Sequence, residues 1–317
     1  MRILFFGTST FAIPTLQTLV THDYEVVAVV TQPDKPAGRG NLLTPPPVKP
    51  VAESLGLPIL QPVSCRTPEF LDIARTYSPD LSVVVAYGQF LPDPLRTFPT
   101  LGTVNLHGSL LPKYRGAAPI QRAIWNGEEL TGVSLMWMTR EMDAGDVISD
   151  VEVPILPVDT YGTLSHTLAE RAAELLMTWL LAIASGSAPR TPQRIEDVTF
   201  APIIKKEERN IDWTSSAVEV WRQVRALFPT PIATTTFRNL PVKILDVVPA
   251  EIADPNYVID TAGRAGEVVE NNPKVGLFIG TGSGVLQILS LQPSGKRPMT
   301  GADFLRGYRV TQGERFA

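Results

Sequence analysis

Cysteine is almost missing from this chain: one residue, Cys65, in 317. A single thiol cannot form an internal disulfide, so nothing points to an oxidising compartment. Its neighbours between Pro62 and Pro68 read as a loop. Histidine is scarce too, with three residues, which argues against a multi-histidine metal centre; no metal is expected. No apolar run approaches the ~18 residues of a membrane span. The stretch Arg2–Phe6 is far too short for a signal peptide and suits a buried strand. These absences together predict a cytoplasmic protein with no membrane partner, and a monomer by default.

Excess charge of one sign is also lacking. The 28 basic and 32 acidic residues leave a net charge of −4, which at first argues against a nucleic-acid partner. The distribution is uneven. Residues 1–189 carry 12 Lys+Arg against 18 Asp+Glu, whereas residues 190–317 carry 16 against 14, so the second half is mildly basic without being an arginine-rich arm. What the chain does have is length and apolar material. At 317 residues and 44% hydrophobic it exceeds one ordinary core, so two domains are expected.

The first half alternates strand and helix patterns. Arg2–Phe6, Glu25–Thr31 and Leu81–Ala86 are near-continuous apolar runs, as buried parallel strands are. Thr103–Leu106 and Val133–Met138 are further strand candidates. Asp159 or Thr160 can cap a long helix carrying Leu164, Leu168, Ala172, Leu175, Trp179 and Ile183. The fold class is therefore α/β: a doubly wound, mostly parallel sheet over residues 1–188. Prolines 189, 192 and 202 punctuate an aperiodic stretch that reads as a linker over 189–208. A helical segment near Ser216–Leu227 and short strands at Ile232–Phe237, Val242–Val248, Gly276–Gly280 and Val285–Leu291 predict a smaller OB-like β-barrel over 209–317.

The turn Gly7-Thr8-Ser9-Thr10-Phe11-Ala12 follows a strand but lacks the second and third glycines of the dinucleotide fingerprint, so nicotinamide chemistry is unsupported. The densest polar constellation is Asn105-Leu106-His107-Gly108-Ser109-Leu110-Leu111-Pro112, at the end of a strand candidate. Asn105 and His107 lie two apart and share one side of that strand. An amide and an imidazole converging on one space suit acyl chemistry: the amide polarises a carbonyl and the imidazole handles charge. Downstream, Met142-Asp143-Ala144-Gly145-Asp146 offers acids that can fix the histidine tautomer. Taken alone, a lone histidine is more often structural and an Asp-Ala-Gly-Asp run is usually a turn. Spacing alone does not show that residues 107 and 143 meet.

Taken together, Phe5-Phe6-Gly7-Thr8, the run Asn105–Pro112 followed by Arg115-Gly116, and Met142–Asp146 resemble the folate-dependent formyltransferases. The resemblance implies a catalytic trio at Asn105, His107 and Asp143. It implies that Ser109, Leu110, Leu111 and Pro112 line the site of a 10-formyltetrahydrofolate cosubstrate. It also implies that Tyr87, Gly88 and Gln89 belong to a segment whose backbone faces the pteridine ring.

Within that family the chain looks like the members that formylate methionyl initiator tRNA. The loop Gln32–Gly40, with Lys35 and Arg39, is similar to their tRNA-contacting insertion. Lys205-Lys206 resembles the entry to their second domain, and Lys296-Arg297 lies in a stretch similar to their C-terminal signature. Two departures remove positive charge that could meet tRNA phosphates: Asn41 and Leu42 replace two usual lysines, and Ile203 replaces another. Two other readings remain, a formyltransferase for a small amine such as a nucleotide precursor or amino-sugar nucleotide, and a catalytically silent tRNA-binding protein.

Overall fold

The apolar runs of the first half become the middle of a seven-stranded sheet. The computed structural model describes residues 1–37, 42–253 and 264–317. The sheet contains β1 (Arg2–Gly7) and β2 (Glu25–Val30). Outside it, β3 (Lys35–Ala37) and β4 (Leu42–Thr44) pair with each other as a two-stranded antiparallel ribbon. The sheet continues with β5 (Ile59–Leu60), β6 (Leu81–Val85), β7 (Thr103–His107), β8 (Leu130–Trp137) and β9 (Val147–Pro154). Its order is β5-β2-β1-β6-β7-β8-β9. The first five neighbours run parallel, and β8 and β9 close one edge antiparallel. The α/β fold class is as expected.

Successive side chains of a strand face opposite sides of the sheet. Ile3, Leu4, Phe5 and Phe6 are all fully buried, so both faces of β1 are covered. On one face Leu4, Phe6, Val84 and Tyr87 pack with Phe70, Ala74, Leu91 and Leu95, drawn from helices Pro68–Thr76 and Asp93–Thr97 and from the segment before the latter. Each such apolar side chain stabilises by about 1.5–3 kcal/mol when fully buried. Because β1, β6 and β7 are parallel, their carboxyl ends share one edge. The chain's order reverses at β1, with β2 on one side and β6 on the other, which is where ligands bind in open α/β sheets.

The second half of the chain builds an antiparallel, curled sheet from β10 (Ala233–Phe237), β11 (Leu240–Pro249), β12 (Val268–Glu270), β13 (Leu277–Gly280), β14 (Val285–Pro293) and β15 (Met299–Thr300). The order is β10-β11-β14-β13-β12, with β15 on β14. Helix Ala217–Leu227 starts with a capping box: the Ser216 hydroxyl accepts from the Glu219 N–H, and the Glu219 carboxylate accepts from the Ser216 N–H. Phe237, Phe304 and Phe316 meet in the core of this sheet, which brings the C-terminal residues back against β10.

By contact, the chain forms two compact units. One comprises Met1–Pro119, Leu130–Pro154 and Ser165–Pro202; the other comprises Ile120–Glu129, Ile155–Leu164 and Ile203–Ala317. The proline-marked stretch is divided between them, 189–202 with the first and 203–208 with the second. No helix among the described residues is long and apolar enough to cross a membrane.

Candidate active site

Asn105 and His107 sit on β7 with the alternation expected of a strand, and both are buried. In the antiparallel register they pair with Met136 and Ser134 of β8, so all four side chains share one face. The His107 Nε2 lies 2.9 Å from the Tyr114 carbonyl oxygen. A carbonyl only accepts, so Nε2 carries hydrogen and donates, and Nδ1 is the ring atom left for chemistry. Nδ1 faces the Asp143 carboxylate, with Oδ2 at 3.7 Å. That oxygen also accepts the Gly116 N–H at 2.9 Å. The Asn105 side chain has no hydrogen-bond partner among the described residues, so its amide remains available to a ligand.

Asp143 reaches the histidine from the β8–β9 connection. Its own backbone is left-handed, φ 51°, a conformation Asp tolerates better than most residues. Two residues on, a Cβ at Gly145 would lie 1.7 Å from the Trp137 carbonyl oxygen, so only glycine lets the turn close this tightly. Three more residues complete the arrangement, of which the sequence marked only Gly116, as part of the family motif. Tyr114 and Gly116 supply the contacts above, and Gln193 donates to the carbonyls of Asp143 and Gly145, each at 2.8 Å.

The run Ser109–Pro112 folds back over β8. Gly132, Ser134 and Met136 alternate on one face and form a cradle for it. Leu110 lies against Gly132, where a Cβ would come within 2.4 Å of its Cδ2. The Ser134 hydroxyl accepts the Leu111 N–H at 2.9 Å and contacts both the Ser109 carbonyl and the Asp150 carboxyl. Leu111 packs on Met136. The Ser109 hydroxyl is used inside the loop, donating to the Lys113 carbonyl at 2.6 Å. Partial burial pushes the Asp150 carboxyl above its usual range, against the lowering effect of the Ser134 contact. The role of Ser134 was detectable in principle from the alternation of β8.

After β6 the chain passes through two positive-φ residues, Ala86 (46°) and Gly88 (84°). The Tyr87 ring points into the core, edge-on to Phe6. Its carbonyl is taken by the Thr8 hydroxyl at 2.7 Å. The Gln89 side chain holds the neighbouring loop, accepting from the Cys65 N–H and donating to the Pro62 carbonyl. The side chains of Tyr87 and Gln89 are therefore committed to the protein. The Gly88 backbone is exposed and has no hydrogen-bond partner among the described residues, which suits recognition of a flat heterocycle by main-chain groups. Cys65 is buried, and burial pushes its thiol up, which disfavours a reactive thiolate.

The basic residues are built differently. Lys205, Lys206, Lys296 and Arg297 are exposed, and neither they nor Lys35 form a salt bridge among the described residues. Lys206 lines an open cleft with Glu207, Arg209, Asn210 and Thr234. Lys35 lies on β3; Arg39 and Asn41 lie outside the described residues, and Leu42 is exposed on β4. No group of three or more His, Cys, Asp or Glu side chains among the described residues is placed to hold a metal ion.

Fold and site define an α/β group-transfer enzyme: an amide and an imidazole on β7 with a carboxylate brought to them by the β8–β9 connection, and an antiparallel β unit following in the chain. The chain belongs to the formyl transferase family. Residues 1–180 match the family profile described as formyl transferase, and residues 203–309 match that of the formyl transferase C-terminal domain. The methionyl-tRNA formyltransferase of Moorella thermoacetica is 45% identical, over 99% of this chain and 98% of its own. That of Bacillus pumilus is 44% identical over 99% and 97%. Among solved structures, HypX from Aquifex aeolicus in complex with tetrahydrofolic acid shares the fold, with a TM-score of 0.67 and 20% identity over 99% of this chain. The chain spans about half of HypX, 48% of its length.

Proposed function

We propose that this enzyme transfers the formyl group of 10-formyltetrahydrofolate to the amino group of methionine esterified to initiator tRNA, giving N-formylmethionyl-tRNA and tetrahydrofolate for translation initiation. One observation supports the reading: His107 Nδ1 lies 3.7 Å from the Asp143 carboxylate, with Asn105 on the same face of β7, in a chain that matches methionyl-tRNA formyltransferases along almost its whole length. In this reading residues 1–188 carry the chemistry, 189–208 connect, and 209–317 hold tRNA, in a cytoplasmic monomer.

The residues present fit a folate. The Asn105 amide has no hydrogen-bond partner among the described residues, and the exposed Gly88 backbone can pair with a pteridine edge. The cradled run Ser109–Pro112 borders the same face of the sheet. When bound, the folate supplies the formyl carbon. Asn105 donates an N–H to the formyl oxygen as that atom gains negative charge, the kind of preorganised contact that usually contributes most to such reactions. The Tyr114 carbonyl holds the His107 ring in one tautomer and turns Nδ1 toward the reacting atoms. Asp143 stabilises positive charge on that ring. The amine proton is lost to the Nδ1–carboxylate pair, directly or through water, and a proton is returned to the folate N10 as its bond to the formyl carbon breaks and tetrahydrofolate leaves. Lys35, Arg39, Lys205, Lys206, Lys296 and Arg297 meet the tRNA backbone as point charges.

The test is tetrahydrofolate release with charged initiator tRNA, with uncharged tRNA, and with free methionine, aminosugar nucleotides and nucleotide precursors as acceptors. Rapid release with charged tRNA alone is expected. Turnover on a small amine that survives deletion of 209–317 would assign the enzyme to small-molecule formylation instead.

A further inference from the structure

The amide of Gln193 has every hydrogen-bonding position filled. Its Nε2 donates to the carbonyl oxygens of Asp143 and Gly145, both at 2.8 Å. Its Oε1 accepts from Arg115 twice, from Nε at 3.0 Å and from Nη2 at 2.7 Å. A glutamine amide offers two donors and two acceptor lone pairs, so this one is saturated. Such a side chain ties two segments together in one geometry, because no alternative rotamer can satisfy all four contacts.

The two segments are those that build the reacting pair. Arg115 lies between Tyr114, whose carbonyl takes the His107 Nε2–H, and Gly116, whose N–H holds the Asp143 carboxylate. The backbone of 114–118 is in turn laced to 199–201: the Tyr114 N–H reaches the Thr199 hydroxyl at 2.9 Å, the Arg115 N–H reaches the Thr199 carbonyl at 2.9 Å, and the Ala201 N–H reaches the Arg115 carbonyl at 2.7 Å. Gln193 precedes that stretch and links it to the Asp143 turn. We infer that Gln193 is a positioning residue that sets the separation of the Asp143 carboxylate from His107 Nδ1. This rests on the reading of Asp143 and His107 as the working pair. The Gln193 amide is taken up by Arg115 and by the carbonyls of Asp143 and Gly145, so its effect is exerted through Asp143.

A misplacement of about 1 Å at a reacting group costs on the order of 10²-fold in rate. Gln193→Leu keeps the bulk and removes all four contacts. It is expected to lower kcat by about 10-fold to 100-fold, with the KM for the folate near wild type. Gln193→Glu, which keeps an acceptor for Arg115 but cannot donate to the two carbonyls, is expected to lose a similar factor. It serves as the second variant should the leucine protein fail to fold. The decisive measurement is a double-mutant cycle on kcat with Asp143→Ala. If Gln193 acts through Asp143, Gln193→Glu adds no further loss once Asp143 is alanine. A full additive loss in the double variant, a wild-type kcat in Gln193→Glu, or an effect confined to KM would each overturn the proposal while leaving the Asp143 reading intact. A wild-type kcat in Asp143→Ala alone would instead overturn the reading of the pair, and the positioning role with it.

Discussion

The trio proposed for catalysis, Asn105, His107 and Asp143, and the basic residues proposed to meet tRNA are constructed in opposite ways. Asn105 and His107 are buried, and His107 and Asp143 are oriented by specific main-chain groups. Lys205, Lys206, Lys296 and Arg297 are exposed and carry no internal salt bridge among the described residues. The difference is the one that the two proposed roles require. Bond making depends on ångström placement, which needs a closed network of contacts. Attraction of a phosphate backbone depends on charge and tolerates movement, so an unpaired, solvated lysine suffices. A net charge of −4 does not by itself exclude a tRNA substrate, because a phosphate backbone responds to local cations more than to the total.

The largest expected effect falls on the buried set. Asn105→Ala removes a donor with no partner among the described residues, so kcat should fall by about 10²–10³-fold while the thermal midpoint barely moves. A large loss of stability with modest kinetic change would make Asn105 a structural residue and erase the contrast. Ser134→Ala comes next. It leaves the buried Leu111 N–H without its acceptor, which costs on the order of 1–3 kcal/mol. The folate KM, or the Kd by titration, should rise by about 10-fold with a smaller change in kcat.

On the exposed side, Lys206→Ala and Lys296→Ala should each weaken tRNA binding and flatten the dependence of log affinity on log salt by roughly 0.7–0.9. The rate at saturating tRNA should stay near wild type. A loss of that rate with an unchanged salt slope would mean that these lysines act by geometry, like the trio. The smallest effect is expected at Glu314, whose carboxyl is held down at about 2, first by the Arg238 guanidinium and further by the Thr311 N–H and hydroxyl. A depressed acid contributes stability that is full above its ordinary value of 4.5 and is lost as pH falls through about 2. Glu314→Gln should therefore melt slightly lower at neutral pH and converge with wild type on acidification. The pair is partly exposed, so the difference should be small.

Some of this was legible in the sequence. β1, β2 and β6 read as near-continuous apolar runs because both of their faces are covered. Asn105 and His107 were placed on one side of a strand by its two-residue period alone. The meeting of His107 with Asp143 was not legible from spacing, since it depends on how the β8–β9 connection folds back, and only the family resemblance supplied it. β9 carries only a weak strand pattern: Val147, Ser149, Val151 and Val153 alternate with Ile148, Asp150 and Glu152. The contacts of 199–201 left no compositional trace. They are mostly main-chain bonds to the aperiodic segment 112–118, and such bonds can be made by almost any residue.

The central claim, that a buried and oriented imidazole drives formyl transfer to the aminoacyl end of tRNA, is tested most directly by single-turnover formylation with His107→Ala, at saturating 10-formyltetrahydrofolate and saturating methionyl initiator tRNA. Saturation removes binding from the comparison and leaves the chemical step. The account predicts a rate constant lower by ~10²-fold or more, in a folded protein that still binds folate. A wild-type rate constant in that variant would contradict it.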